Sequence, residues 1–481
     1  MDDFESDLDI FGQQQGLYKL YTQLCLCFQM SDEGPSQADI VATLTMGLER
    51  LTASFPWVAG QVVRQSTTAE VDDTPTLYKI RPFEKTPRLV VKDLREGHPT
   101  LTMDTLRQAN FPFTMLDESV IAPINTLAAG TDGPAPVFAV QANFIPGGLL
   151  LTFVTQHNTM DMTGMVEIMR LLSKACHDGE VFTAEEIATG NLDRRNLIPL
   201  LDEIDIPPGP DQNQTGKRSA DQAASDAVDD IPAQQPLALA QAQAESQPPP
   251  PPPPPKCSWS YFVFSASSLA SLKSVAMQSL TNSSSFVSTD DVLSAFIWLW
   301  VSRARRPRLD PSREVTFARA IDPRRYLGIP ATYPGLVQNM TYTTFPLEEL
   351  LDTHLGHIAS KLREAVDPAT SNLAHATRAL ATRLHRAPGD NSLNVTARLD
   401  PAADIMLSSW AKYDCYNLDY NLGLGRPEAV RRPRFVPVEN LFYLMPKAPD
   451  GEVAVALCLR EDDLARLKGD EGFMRYAVYV G

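Results

Sequence analysis

At 481 residues the chain is longer than one hydrophobic core readily supports, so two domains of roughly 200 residues each are the prior. Its formal charge of −17 repels nucleic acid and anionic membrane surfaces at long range, so any anionic ligand requires a local cluster of cations or backbone N–H groups. The six cysteines are scattered, with neither a C-x-x-C pair nor a cysteine-histidine run at metal-ligand spacing, which argues for a reducing compartment and no metal.

The opening MDDFESDLDIF is acidic where a signal peptide needs a basic start, and no stretch reaches the ~18 apolar residues of a membrane span. A cytoplasmic, monomeric protein is expected. VATLTMGLERLTASFPWVAGQVV predicts an amphipathic helix with Leu44, Leu48 and Leu51 on one face, leading into a strand at Val62. Val137 to Ile145 and Leu149 to Gln156 predict a hairpin turned by Pro146-Gly147-Gly148. The second strand delivers His157. Met165, Ile168, Met169, Leu172 and Cys176 then recur at helical spacing, the core stripe of a helix.

From Leu201 to Lys256 the composition turns to Asp, Gln, Ala and Ser and closes on the unbroken run Pro248 to Pro255. Such a stretch buries too little apolar surface to offset its ordering entropy, so it is expected to be a linker, with an SH3-type docking ligand as the less plain alternative. Beyond it, Trp259 to Phe264 predicts a strand and Ser267 to Met277 a helix. Ser288-Thr289-Asp290-Asp291 caps the apolar helix VLSAFIWLWVSRA. The expected fold is mixed α/β, with residues 1–200 and 257–481 forming two facing domains of similar size.

The string from Gln156 to Gly164 is H-x-x-x-D-x-x-G at the junction of a strand and a helix. A histidine and an aspartate four apart often arise by chance, and a histidine at a strand end is more often a structural hydrogen-bonder than a base. The position nonetheless suits a general base, because an imidazole there has rigid support and an exposed edge. Asp161 need not reach His157 across a turn. At a helix start it is better suited to accepting backbone N–H bonds or pairing with an arginine, fixing the loop.

Two further strings, Ala320-Ile321-Asp322-Pro323-Arg324-Arg325 and Asp419-Tyr420-Asn421-Leu422-Gly423, complete a pattern with Ser408-Ser409-Trp410. The sequence resembles the BAHD-type acyl-CoA transferases, marked by H-x-x-x-D, D-x-R, T-S-W and D-F-G-W-G, and within them a fungal branch that acetylates the trichothecene 3-hydroxyl. It departs from the pattern at Tyr420, Asn421 and Leu422, where the family has Phe, Gly and Trp. The resemblance implies a two-domain fold of the chloramphenicol acetyltransferase type, with a tunnel between the domains. It also implies direct transfer of an acyl group, acetyl being the simplest, from acyl-CoA to a hydroxyl of a small metabolite, with His157 as the base. It casts Asp161, Arg324 and Asp419 as structural supports, with Asp419 pairing Arg324. Ser408, Ser409 and the Trp410 indole become contacts to the oxyanion or acceptor, and Ser265, Lys273, Ser288, Thr289 and Asp290 contacts to CoA. No tightly bound cofactor is implied. Two rivals stand beside this reading. A peptide-synthetase condensation domain uses H-H-x-x-x-D-G, but Gln156 and Met162 occupy the diagnostic places. A catalytically inactive family member would be a small-molecule or protein-binding module.

Overall fold

The structure, a computed structural model, describes residues 5–65, 77–130, 132–179, 181–202, 255–280, 286–387 and 399–481. It is mixed α/β and built on two main sheets. The five-stranded sheet runs Ala429–Arg431, Tyr21–Gln29, Gly148–Gln156, Phe138–Ile145, Arg88–Asp93, antiparallel except for the last pair. The seven-stranded sheet runs Asn339–Pro346, Glu314–Ile321, Ile405–Ser409, Leu441–Leu444, Val453–Arg460, Cys257–Phe264, Val478–Tyr479. Ile405–Ser409 lies parallel to both its neighbours. A small sheet of Ser6–Asp7, Leu77–Pro82 and Gly60–Gln65 flanks them.

Helix α1 (Gln37–Ser54) begins at a capping box between Ser36 and Asp39 and buries Ile40, Leu44, Leu48 and Leu51. It packs on helix α2 (Met162–Ala175), whose residues Met165, Ile168, Met169 and Leu172 are fully buried, with Cys176 just beyond. The helices approach closely: a Cβ at Gly47 would lie 2.5 Å from the Cys176 sulfur. In the Phe138–Ile145/Gly148–Gln156 hairpin both strands are buried throughout, and Gly147 takes φ +74°, which only glycine adopts freely. Helices α3 (Ala266–Gln278) and α4 (Thr289–Arg305) cover one face of the larger sheet.

Sequence order and spatial order part at two places. Ala429–Arg431, far along the C-terminal half, adds an edge strand to the N-terminal sheet beside Cys25–Cys27. The expected linker begins too early: Leu201 is buried and its amide donates to Thr382 Oγ1 at 2.9 Å, while the Arg378 and Arg386 guanidinium groups reach the Leu200 and Leu201 carbonyls. Residues 203–254, including most of the proline run, lie outside the described residues. Among the described residues no helix is long and apolar enough to cross a membrane.

Candidate active site

His157 stands one residue beyond the buried Gly148–Gln156 strand, and its amide donates to the Leu20 carbonyl at 2.7 Å. Its loop is tight: the Thr159 amide and hydroxyl both donate to the Gln156 carbonyl, at 3.0 and 2.6 Å. Nδ1 of His157 lies 3.2 Å from the Met160 carbonyl oxygen. A carbonyl only accepts, so Nδ1 carries the proton and Nε2 keeps its lone pair. Burial pushes the imidazole below its ordinary pKa. The Arg432 cation works in the same direction, against the Met160 carbonyl and Asp161. The result is a neutral imidazole at neutral pH with a basic nitrogen available.

Asp161 is the N-cap of α2, and its carboxylate is saturated. Gly164 N–H donates to Oδ1 at 2.9 Å and Val337 N–H to Oδ2 at 2.9 Å, while Arg324 forks onto both oxygens at 3.0 and 2.8 Å. The planar guanidinium matches the carboxylate geometry and leaves nothing for the imidazole. Arg324, almost fully buried, also reaches Asp322 Oδ1 at 2.9 Å and the Tyr333 and Gly335 carbonyls at 3.1 and 2.7 Å. One arginine from the C-terminal half thus holds the histidine loop of the N-terminal half. The glycine of the motif has a steric cause: a Cβ at Gly164 would sit 2.0 Å from the Pro334 carbonyl oxygen.

The expected pairing of Arg324 with Asp419 does not occur. Asp419 is exposed, accepts from the Asn421 amide at 2.8 Å and lies 3.6 Å from His177 Nε2. Arg324 is instead consumed by the aspartate of the histidine motif, which offers a buried, otherwise unpaired charge. The departures in the Asp419 loop fit their places. Asn421 has φ +55°, a left-handed conformation that asparagine tolerates and that a glycine would adopt freely. Its side-chain amide donates to the Cys176 carbonyl at 3.1 Å, and Tyr420 is buried with its ring 5.4 Å from that of Phe153.

The three residues of the Ser-Ser-Trp element divide their tasks. The Trp410 indole N–H, expected as a donor to the reacting centre, is spent on Ser408 Oγ at 3.0 Å. Ser408 therefore accepts from Trp410, and its own proton remains available to donate. Ser409 donates to Asp290, which also accepts from Arg319, so Asp290 ties α4 to the Ile405–Ser409 strand. A carboxylate so engaged repels a phosphate, so Asp290 is not placed to hold one. Ser288 is likewise occupied by a capping box with Asp291, and Thr289 opens the helix exposed to solvent.

Ser265 caps α3, accepting from Ser268 N–H at 3.1 Å. Lys273, farther along that helix, lies 5.5 Å from the centre of the Phe286 ring, and Arg363 lies 5.5 Å from the same ring. Phe286 is 65% exposed, the most exposed large apolar side chain among the described residues, and two cations attend it. Sequence reasoning missed Phe286 and Arg363, since nothing in their spacing links them to Lys273. It also passed over Arg432, which is buried and stacks 4.3 Å from Phe435, 5.0 Å from Tyr443 and 5.9 Å from Trp410. Its charge acts on the His157 imidazole, and its guanidinium lies against the Trp410 ring. Two consecutive arginines, Arg431 and Arg432, in a strand-like run were the only available signal.

Comparison with known proteins follows the same lines. The Trichothecene 3-O-acetyltransferase-like N-terminal domain model matches residues 20–176, and the Transferase family model matches residues 114–474. O-acetyltransferase dmxR13 of Cryptosporiopsis sp. is 47% identical over 482 residues, covering 100% of this chain and 98% of the relative. Trichothecene 3-O-acetyltransferase TRI101 of Fusarium sporotrichioides is 46% identical, covering 99% and 98%. The solved structure of F. graminearum TRI101 complexed with coenzyme A and deoxynivalenol superposes with a TM-score of 0.86 at 42% identity, covering 99% of this chain and 100% of that one. The chain belongs to the BAHD-type Transferase family and is a CoA-dependent O-acyltransferase.

Proposed function

We propose that this enzyme transfers acetyl from acetyl-CoA to the 3-hydroxyl of a trichothecene, with His157 as general base. The observation that carries the mechanism is the bond from His157 Nδ1 to the Met160 carbonyl, which leaves Nε2 as the proton acceptor. In this reading Nε2 takes the proton of the acceptor hydroxyl as its oxygen attacks the thioester carbonyl. The Ser408 hydroxyl, polarised by the Trp410 N–H, donates to the developing oxyanion. Collapse of the tetrahedral intermediate breaks the C–S bond, and the imidazolium returns its proton to the CoA thiolate. Transfer is direct. Burial holds the thiols of Cys176 and Cys415 at about 12 and that of Cys257 at about 11, so none of the three offers a thiolate for a covalent acyl intermediate at neutral pH.

For CoA, the exposed Phe286 ring supplies a stacking face, with Lys273 as a phosphate partner in an otherwise acidic protein, while Arg363 is held on Asp291 by its Nε and Nη2. Ser265 lies at the start of the same helix. The acceptor assignment rests on kinship with TRI101, whose structures hold deoxynivalenol or T-2. Incubation with acetyl-CoA and deoxynivalenol, followed by mass spectrometry and NMR of the product, tests it. A gain of one acetyl at the 3-oxygen supports the assignment. Rejection of trichothecenes alongside acetylation of another alcohol refutes the acceptor and retains the chemistry.

A further inference from the structure

The loop from His157 to Asp161 is held at Asp161 by Arg324, but a separate group of residues grips its middle. Arg194 Nη1 donates to the Thr159 carbonyl at 2.7 Å and to Asp9 Oδ2 at 3.0 Å, with its guanidinium 4.4 Å from the centre of the Trp57 ring. Asp9 also accepts from the Tyr333 hydroxyl at 2.5 Å and from the Leu336 amide at 3.1 Å. Arg194, Asp9 and Tyr333 are 5%, 1% and 1% exposed, so the ion pair has given up nearly all its hydration. Such burial is weak grounds for net stability, because desolvation offsets most of the attraction. Gly12 closes the same loop from the N-terminal segment: a Cβ there would lie 2.2 Å from the Asn158 carbonyl oxygen.

From this geometry, and resting on His157 as the base, we infer that Arg194 and Asp9 are positioning residues for His157. The link is through the backbone. Thr159 contributes the carbonyl of the peptide that enters Met160, and the next carbonyl, that of Met160, accepts the His157 Nδ1 proton. Fixing the first peptide fixes the acceptor that sets the tautomer and aim of the imidazole. Without Arg194 the loop gains freedom and admits water, and Nε2 loses its alignment with the acceptor hydroxyl. An error of about 1 Å there costs on the order of 100-fold in rate.

The test uses the full-length enzyme as wild type, Arg194→Met, Arg194→Lys and Asp9→Asn, with rates normalised to folded protein. Arg194→Met is expected to lower kcat about 10- to 100-fold with the KM for acetyl-CoA within about 2-fold. Arg194→Lys, which keeps the charge but not the planar group over Trp57, should fall between it and wild type. Should Arg194→Met not fold, Arg194→Lys and Asp9→Asn carry the same comparison. A second readout does not depend on turnover. Ring-15N NMR titration of the histidines, with His157 assigned by its loss in His157→Ala, should show its pKa rising toward the ordinary imidazole value in Arg194→Met or Asp9→Asn. Asp161 and Arg432, the charged groups whose fields act on the ring, are unchanged in each variant. Unaltered His157 titration and unaltered kcat per folded enzyme overturn the inference. A His157 titration that shifts in the variants while the wild type itself transfers no acetyl group would uphold the clasp and reject the acetyltransferase reading.

Discussion

Arg324→Met removes a charge that the structure shares between Asp161, held through both Nη1 and Nη2, and Asp322. Oδ1 and Oδ2 would keep only the Gly164 and Val337 amides, and a nearly buried carboxylate would lose its cation. Breaking one partner from a buried pair costs about 3–5 kcal/mol, a large part of the ~5–15 kcal/mol that holds a typical domain folded. Asp161→Asn should cost less, because Arg324 keeps Asp322, and the double variant less than the sum, because it strands no charge at Asp161. A double-mutant cycle read by urea unfolding is therefore expected to give a coupling of about 2–3 kcal/mol between Arg324 and Asp161. The cycle with Asp419→Ala separates this account from the pairing suggested by family resemblance. Asp419 is exposed and away from Arg324, so its loss should stay within about 0.5 kcal/mol and couple to nothing. Coupling below 0.5 kcal/mol to Asp161, or above about 1 kcal/mol to Asp419, would refute the reasoning.

Other outcomes follow from the same geometry. Gly164→Ala forces a methyl onto the Pro334 carbonyl and should abolish activity and lower the melting temperature, whereas Gly97→Ala, with open space around it, should change neither. Ser408→Ala should lower kcat about 100- to 1000-fold as an oxyanion donor is lost. Trp410→Phe, which leaves the Ser408 hydroxyl in place, should lower it less, and equal losses would assign the donor role to neither residue in particular. Native His157 titrates below the ordinary imidazole value, so kcat/KM should hold its plateau as pH falls through about 6.5 and decline only lower. The stability linkage has a matching sign. Below about 6.5 the unfolded chain takes up a proton that native His157 does not, so stability falls with pH until the folded imidazole is also protonated. His157→Gln should remove that component from a urea-midpoint profile, and an unchanged profile would count against the shift.

Much of the framework was legible because it depends on local periodicity. Leu44, Leu48 and Leu51, the hairpin around Gly147 and the stripe from Met165 to Cys176 each declare their element within a few residues. Asp161 was legible as a helix cap for the same reason. What the sequence did not disclose is long-range pairing. Nothing near Arg324 indicates whether it meets Asp161 or Asp419, and family pattern pointed to the wrong one. The Trp410 indole looked available until its neighbour Ser408 was seen to accept from it. Arg194 and Asp9 lie 185 positions apart and meet only when the chain is folded. The edge strand Ala429–Arg431 is too short to announce itself, and the charged Glu428 and Arg432 that flank it carry no strand signal.

The central claim is that Nε2 of His157 takes the acceptor's proton during direct transfer from acetyl-CoA. Thiol release from acetyl-CoA by wild type and His157→Ala, with and without a trichothecene bearing a free 3-hydroxyl, measures it most directly. The account predicts acceptor-dependent release in the wild type that falls at least ~100-fold in the variant. Equal acceptor-dependent release by the two proteins would remove His157 from the mechanism and contradict it.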